Sequence, residues 1–298
     1  MQAFVKSLSI PEFENFFKTD YHCLKWLEKL KWEKGYRCFK CHHLNYCPGP
    51  QPLSRQCTKC RYSESPTANT LFHGLKFSLK KAFYIVYFTS SSKKGISSTE
   101  LSRKLALRQK TCWLFRRKVM TAMSCFREEK LDGNIELGFL FTGKDGLQPS
   151  NSTKKYCLLA VGKKKDKITE IKALSTTGKS KEEVMKFLSS NISMHAILES
   201  DSWPGLIAAT KGYPLTKNYY LNNSKKTLRL FKRTRMMLLG WLRGTHGHAR
   251  DIQAYVDEYC FRMNHRLKGG AIFLYLIEAM MQSKPVQYKD LVSYYSSA

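Results

Sequence analysis

Acidic residues are scarce in this sequence beside its basic ones. Its 298 residues hold 23 Asp and Glu against 51 Lys and Arg, a formal net charge of +28, and positions 202 to 250 contain no Asp or Glu at all. A charge this large repels itself unless something neutralises it, and the commonest neutraliser is nucleic acid, which releases its condensed counterions on meeting Lys and Arg. Surface lysines that serve solubility alone are the bland rival. A basic membrane-surface protein is disfavoured, because no helix shows one cationic and one lipid-facing side. Long apolar runs are also missing: none approaches the ~20 residues that cross a bilayer, which excludes a spanning role. The N-terminal MQAFVKSLSIPEFENFF places Pro11, Glu12 and Glu14 where a secretory leader needs an unbroken apolar core. This predicts a chain kept in the cytoplasm, on the nucleoid, or in a nucleus if the source is eukaryotic. General disorder is excluded by 43% hydrophobic and 13% aromatic residues, enough for a substantial core.

Ten cysteines are present, and spacing decides their use. Cys38-x2-Cys41 and Cys57-x2-Cys60 are two CxxC pairs, each able to form a knuckle presenting two thiolates. Two facing knuckles complete a tetrahedral four-sulfur zinc site. Pro48, Gly49, Pro50 and Pro52 between them suit a chain reversal, so the expected module is a zinc ribbon. Cys47 and the pair His42-His43 lie inside it as alternative ligands that break the two-plus-two symmetry. Cys23, Cys112, Cys125, Cys157 and Cys260 sit among apolar residues as core fillers. A closed four-thiolate site leaves no position for water, so this Zn2+ would be structural.

Residues 10 to 34 have helical apolar spacing, interrupted near Tyr21, and Leu75 to Ser90 is a second apolar segment. Ser97-Ser98-Thr99-Glu100 matches a capping box, Leu101 and Leu105 share one helix face, and Ala106-Leu107-Arg108 can turn the chain into a helix from Gln109 to about Met123. This outlines a helix-turn-helix, in which the N-terminal end of the second helix enters the major groove. Arg108, Gln109, Lys110 and Thr111 would then face bases or phosphates, with Arg103, Lys104, Arg116, Arg117 and Lys118 on the backbone. A plain helical hairpin with a solvated basic face reads the same residues without function.

Beyond residue 131 the pattern changes to strands: Ile135 to Phe141, Lys155 to Val161, and Ile168 to Leu174, the last two joined by the hairpin turn Gly162 to Lys167. Helical spacing follows from Ser180 to Ile192, then a short strand from His195 ending at Asp201, then a short helix from Trp203 to Thr210. The order β-β-β-α-β-α is that of an RNase-H-like fold. The expected class is α+β: residues 1–66 as helix plus ribbon, 67–130 as the helix-turn-helix region, 131–267 as a domain with a mixed five-stranded sheet flanked by helices, and 268–298 as a C-terminal helix and tail. That last segment has two open roles, covering the sheet domain or mediating dimers.

The ribbon cysteines, the segment Ser65-Pro66-Thr67-Ala68-Asn69-Thr70-Leu71-Phe72-His73, the run Ser92-Lys93-Lys94-Gly95-Ile96-Ser97, Ser200-Asp201-Ser202-Trp203, Trp241-Leu242-Arg243-Gly244-Thr245-His246 and Phe261-Arg262-Met263-Asn264-His265-Arg266 together resemble the zinc-ribbon insertion-sequence transposases with an RNase-H-like DDE domain, related to the Merlin elements. The resemblance spans residues 10 to 267. It implies binding of double-stranded DNA at element ends, action as a homo-oligomer, and cutting and rejoining with Mg2+ held by three ligands. Two such ions about 4 Å apart must activate the attacking oxygen and stabilise the leaving one.

This chain departs from that pattern at two of the three positions. Asp201 matches the second carboxylate, Gly138 stands at the first, and Met237 stands at the third. Glu136, two residues before Gly138 and on the same strand face about 6.5 Å away, is a possible substitute. Asn218, Asn222, Asn223, His246 and His248 are the other candidates, off the expected helix position. The Lys and Arg nearby, including Lys163, Lys164, Lys165, Lys232, Arg233 and Arg235, disfavour a divalent cation and favour phosphate. A helix-capping role is the alternative for Asp201. The expected function is a catalytically degenerate, domesticated or decayed relative that binds duplex DNA without cutting it. The alternatives are an active transposase with substituted ligands, and a protein or RNA scaffold using the ribbon.

Overall fold

The computed structural model describes residues 8–92, 95–125, 129–141, 156–176, 178–219, 227–245, 252–266, 271–287 and 290–291. The architecture is α+β, with ten helices and two sheets among these residues. They divide into two units, residues 1–125 with 268–298, and residues 126–267.

In the first unit, α1 (Ile10–Phe16) begins with a reciprocal capping box in which the Glu12 amide donates to the Ser9 hydroxyl and the Ser9 amide donates to Glu12 Oε2 at 2.8 Å. The helix ends at Phe17 and the chain re-enters α2 (Asp20–Lys31). The single stretch read over 10–34 is therefore two helices, and the turn lets Phe13 and Phe17 both face inward. The ribbon strands β1 (Tyr46–Pro48), β2 (Arg55–Cys57) and β3 (Ser63–Glu64) pair antiparallel in that order. The remaining helices are α3 (Leu79–Ser91), α4 (Ser98–Leu105), α5 (Gln109–Cys125) and α10 (Ala271–Gln282).

The sequence set α10 apart as a segment of its own; the structure packs it inside this unit. Its Phe273 ring lies 5.7, 5.8 and 6.1 Å from those of Phe13, Phe17 and Phe83. Phe273, Leu276, Ile277 and Met280 are buried, and the Leu71 amide donates to the Met280 carbonyl at 3.1 Å. The apolar face of α10 is consumed by an aromatic core supplied from the other end of the chain.

The second unit is a sheet with helices on both faces. Its strands are β4 (Asn134–Phe141), β5 (Tyr156–Lys164), β6 (Lys167–Thr176), β7 (Ile197–Asp201) and β8 (Leu215–Tyr219), in spatial order β6-β5-β4-β7-β8. The first three are antiparallel neighbours, whereas β7 runs parallel to β4 and β8 parallel to β7. The helices are α6 (Lys181–Asn191), α7 (Pro204–Thr210), α8 (Arg229–Thr245) and α9 (Ile252–Asn264). Strand alternation divides the core. Ile135, Leu137, Phe139, Leu158 and Ala160 point to one cluster with α6 and α7 residues, while Leu140, Cys157, Leu159 and Val161 point to the other with α8 and α9 residues. Because both faces are covered, β5 reads as an unbroken apolar run. Glu136 and Gly138 share the second face. The hairpin joining β5 and β6 turns on Lys165 and Asp166, both left-handed at φ 47° and 56°, the geometry of a type I′ turn. Among the described residues no helix is long and apolar enough to cross a membrane.

Candidate functional site

Three places carry the sequence-predicted residues. The first is the ribbon. The two knuckles repeat one geometry: the His42 amide donates to the Cys38 carbonyl and the Cys38 amide to that of His43, each at 2.9 Å, while Arg61 donates to Cys57 at 3.0 Å and Cys57 to Tyr62 at 2.9 Å. His42 and Arg61, each following the second cysteine of its pair, are left-handed at φ 60° and 57°. This brings the four sulfurs of Cys38, Cys41, Cys57 and Cys60 within 4.8 Å of one another, with Cys38 to Cys60 and Cys41 to Cys57 both at 3.5 Å. A tetrahedral ion with bonds of ~2.3 Å spaces its sulfurs by roughly 3.8 Å, so the residues fit zinc.

The electrostatics agree. Burial opposes ionisation of Cys38, but the amides of Cys41 and Lys40 and the neighbouring thiols hold it down to about 6. Cys57 is lowered in the same sense, against burial, by the amides of Cys60 and Lys59. At Cys41 the His43 amide favours the thiolate, yet burial and three thiol neighbours push it up to about 12. Without a cation, four thiolates cannot coexist here; with one, they can. Cys47 stands apart, its sulfur 3.6 Å from the Gln56 carbonyl, and neither His42 nor His43 joins the cluster.

Arg55 fastens this module, a role that no motif marks. Its guanidinium lies 4.2 Å from the ring centres of both Trp32 and Tyr46 and donates to Glu28 Oε1 at 2.9 Å. Lys31 adds a 2.8 Å pair with Glu64 and bonds to the Ser65 and Ala68 carbonyls. We expect Arg55→Ala to lower ribbon stability by about 1–2 kcal/mol, and Arg55→Lys to recover only part of it because an ammonium cannot stack between two rings. A thermal melt of the zinc-loaded chain checks this.

The second place is the helix pair α4 and α5. Ser97 caps α4, accepting from the Glu100 amide at 3.1 Å. Ala106 closes it in the left-handed region at φ 49°. The turn is fixed by Ser102 Oγ donating to the Leu107 carbonyl at 2.6 Å and by Gln109 Nε2 donating to Ser98 Oγ at 2.7 Å. Leu101, Leu105 and Cys112 are buried between the helices. Arg103, Lys104, Arg108, Gln109 and Lys110 are exposed and Thr111 is half-buried. Three predicted backbone contacts lie otherwise than expected. Arg116 and Arg117 are buried, at 2% and 6% exposure, so neither presents a phosphate-binding surface. Arg116 sits on the same face as Cys112, Phe115, Val119 and Met120, the buried stripe of α5. Lys118 is also turned inward, donating to the Leu71 carbonyl at 3.4 Å.

The third place is the carboxyl end of β4 and β7. Asp201 is 4% exposed and ends β7. Its Oδ2 accepts from the Phe139 amide at 3.3 Å and its Oδ1 from the Trp203 amide at 3.1 Å. It therefore organises the turn into α7, whose N-cap is Trp203 rather than Asp201. Burial pushes its carboxyl above the ordinary range, against those two amides and the charge of Lys179. The parallel register runs from Asn134 opposite Ile197 to Leu137 opposite Ser200, so the next pair is Gly138 and Asp201.

The space at Gly138 is filled. A Cβ there would lie 2.7 Å from Cζ of Phe231 and 3.0 Å from its Cε2. Phe231, fully buried on α8, lays its ring where a side chain at position 138 would stand. Glu136 is engaged elsewhere: its Oε2 accepts from the Phe231 amide at 2.7 Å and its Oε1 lies 3.5 Å from Lys163. Lys163 also pairs with Glu199 at 2.8 Å, and Glu199 is the register partner of Glu136. Burial works against the Lys163 charge, but Glu199 and Glu136 raise the ammonium above its ordinary value. Lys163, read from the sequence as a phosphate contact, pairs here with two carboxylates of its own sheet. Lys164, Lys165 and Arg233 are exposed, Lys232 and Arg235 half-buried, and Met237 is 42% exposed. Asn222, Asn223, His246, His248 and the side chain of Asn218 lie outside the described residues. Among the described residues the four cysteines are the one cluster of His, Cys, Asp or Glu able to surround a metal.

No protein-family model matches the chain, and no curated protein matches it. Among solved structures, the crystal structure of the Mos1 strand transfer complex aligns with 65% of this chain and 76% of that one, at 9% identity and a TM-score of 0.26.

Proposed function

We propose that this chain is a DNA-binding protein of the transposase type, with a zinc ribbon, a helix-turn-helix and an RNase-H-like domain, that grips duplex DNA without cutting it. The sheet order β6-β5-β4-β7-β8, with three antiparallel strands followed by two parallel ones, supports the RNase-H-like assignment. The observation that carries the loss of cutting is the Phe231 ring in the space beside Gly138, next to the retained Asp201. A phenyl ring offers no oxygen donor to a divalent ion, and a lone buried carboxylate binds Mg2+ weakly without phosphate help. Zn2+ in the ribbon is structural. Mg2+ has no role unless cutting survives. Homo-oligomeric assembly belongs to the same reading.

Exposed Arg103, Lys104, Arg108 and Lys110 on the helix pair, and Lys164, Lys165 and Arg233 on the sheet domain, supply the positive surface. Affinity for duplex DNA then falls steeply with salt, by about 0.9 logarithmic units per decade for each phosphate contacted. Arg108→Ala lowers discrimination between sequences by about 1–3 kcal/mol, whereas Lys164→Ala weakens all sequences alike and reduces the salt slope by about one. Gel-shift titration of the full chain across a salt series measures both. A slope near zero overturns the binding reading. Mn2+-dependent nicking of duplex DNA that disappears in Asp201→Ala overturns the loss of cutting and favours an active enzyme with substituted ligands.

A further inference from the structure

Beside Asp201, on the opposite sheet face from Phe231, three aromatic rings converge on one ammonium. Lys179 Nζ stands 5.6 Å from the ring centre of Phe139, 5.5 Å from Tyr156 and 5.9 Å from Trp203. The rings meet at steep angles: Phe139 and Trp203 are 5.3 Å apart at 86°, and Phe139 and Tyr156 are 6.4 Å apart at 82°. Rings set edge to face in this way form the floor and walls of a box. Phe139 is the floor at 5% exposure, and Tyr156 and Trp203 are half-buried walls.

The box is built into the backbone. A Cβ on Gly205 would overlap the Trp203 ring, so only glycine lets that ring lie across the start of α7. Phe139 is fixed from behind, since its amide donates to Asp201. The Asp201 carboxylate accepts from the backbone amides of two box residues, Phe139 and Trp203, and clustered π faces are the means by which proteins recognise alkylated ammonium groups. Lys179 itself is exposed and precedes α6; it fills the box from outside as a tethered occupant.

We propose that Phe139, Tyr156 and Trp203, backed by Asp201, form a recognition site for a quaternary ammonium, the head group of a trimethylated lysine side chain or of choline, and that Lys179 occupies it when no such ligand is bound. A trimethylammonium is larger and more weakly hydrated than the Lys179 ammonium. It therefore gives up less solvation on entering and touches more ring surface. This site is independent of the DNA-binding surfaces and stands or falls without them.

The probe is choline, titrated calorimetrically into the full zinc-loaded chain at constant ionic strength, with its neutral isostere 3,3-dimethylbutan-1-ol as the control. Lys179→Ala is expected to bind choline roughly tenfold more tightly than the unaltered chain, because the competitor is gone, and to prefer choline to the isostere by about tenfold. Tyr156→Leu in the Lys179→Ala background keeps the apolar volume and should cost most of that preference; its melting temperature shows that the domain is folded. A peptide carrying trimethyllysine, compared with its unmethylated form, then separates the two sources: preference for the methylated peptide over choline assigns a side-chain partner, and the reverse assigns the free cation. Equal binding of choline and the isostere to Lys179→Ala overturns the proposal, as does the absence of saturable choline binding to that variant.

Discussion

Cys57→Ser is expected to leave the purified chain without zinc and the ribbon unfolded, while the 126–267 unit keeps its secondary structure. The magnitude follows from the coupling of metal and fold. Structural zinc contributes on the order of 10–16 kcal/mol in small four-ligand modules, and the ribbon has little else. Its strands span three, three and two residues, and its buried cluster consists of Trp32, Tyr36, Cys38 and Cys57. Removing one sulfur leaves three thiols whose ionisation no longer has a full tetrahedral partner. Cys47→Ser is the matched control, because the Cys47 sulfur faces the Gln56 carbonyl outside the cluster. Metal content per chain by mass spectrometry, with amide exchange across residues 36–64, reads the outcome. One zinc per chain retained in Cys57→Ser would sink the four-thiolate assignment, and loss in Cys47→Ser would reassign the ligands.

The two CxxC pairs were legible because a knuckle is local: six consecutive residues, 38–43 or 57–62, set its hydrogen bonds, and the left-handed residue after each second cysteine needs no partner from elsewhere. The Ser97 cap and the strand segments were legible for the same reason, since capping and alternation are short-range patterns. What escaped depends on contacts distant in sequence. Nothing within residues 271–282 says that Phe273 meets Phe13, because the complementary face lies more than 250 residues away. Lys163 reads as one more surface lysine in a basic turn until β4 and β7 are set in register and Glu136 and Glu199 fall side by side. Arg116 is an intermediate case. It falls on the i, i+3, i+4 stripe running through Cys112, Phe115, Val119 and Met120, so periodicity weighed against charge places it inward. That the Phe231 ring fills the space beside Gly138 could be seen only in the fold, since the two lie on separate elements 93 positions apart.

Gly138→Asp tests that packing most severely. The new Cβ would enter within 2.7 Å of the Phe231 ring, and overpacking of this kind costs about 1–3 kcal/mol, a share that Gly138→Ala reports alone. The carboxylate adds a second charge beside Asp201, which burial already makes reluctant to ionise, so the expected total exceeds about 3 kcal/mol. Phe231→Ala opens a cavity and costs about 3–5 kcal/mol by itself. If ring and side chain compete for one space, the two changes together cost less than their sum by at least about 1 kcal/mol in a double-mutant cycle of urea unfolding. The double variant then holds two adjacent carboxylates with room between them, and Mn2+ raises its melting temperature through preferential binding to the folded state. The unaltered chain shows no such rise, because Phe231 fills the space. An additive cycle would separate Phe231 from Gly138, and a Mn2+-induced rise in the unaltered chain that vanishes in Asp201→Ala would restore the metal to this fold.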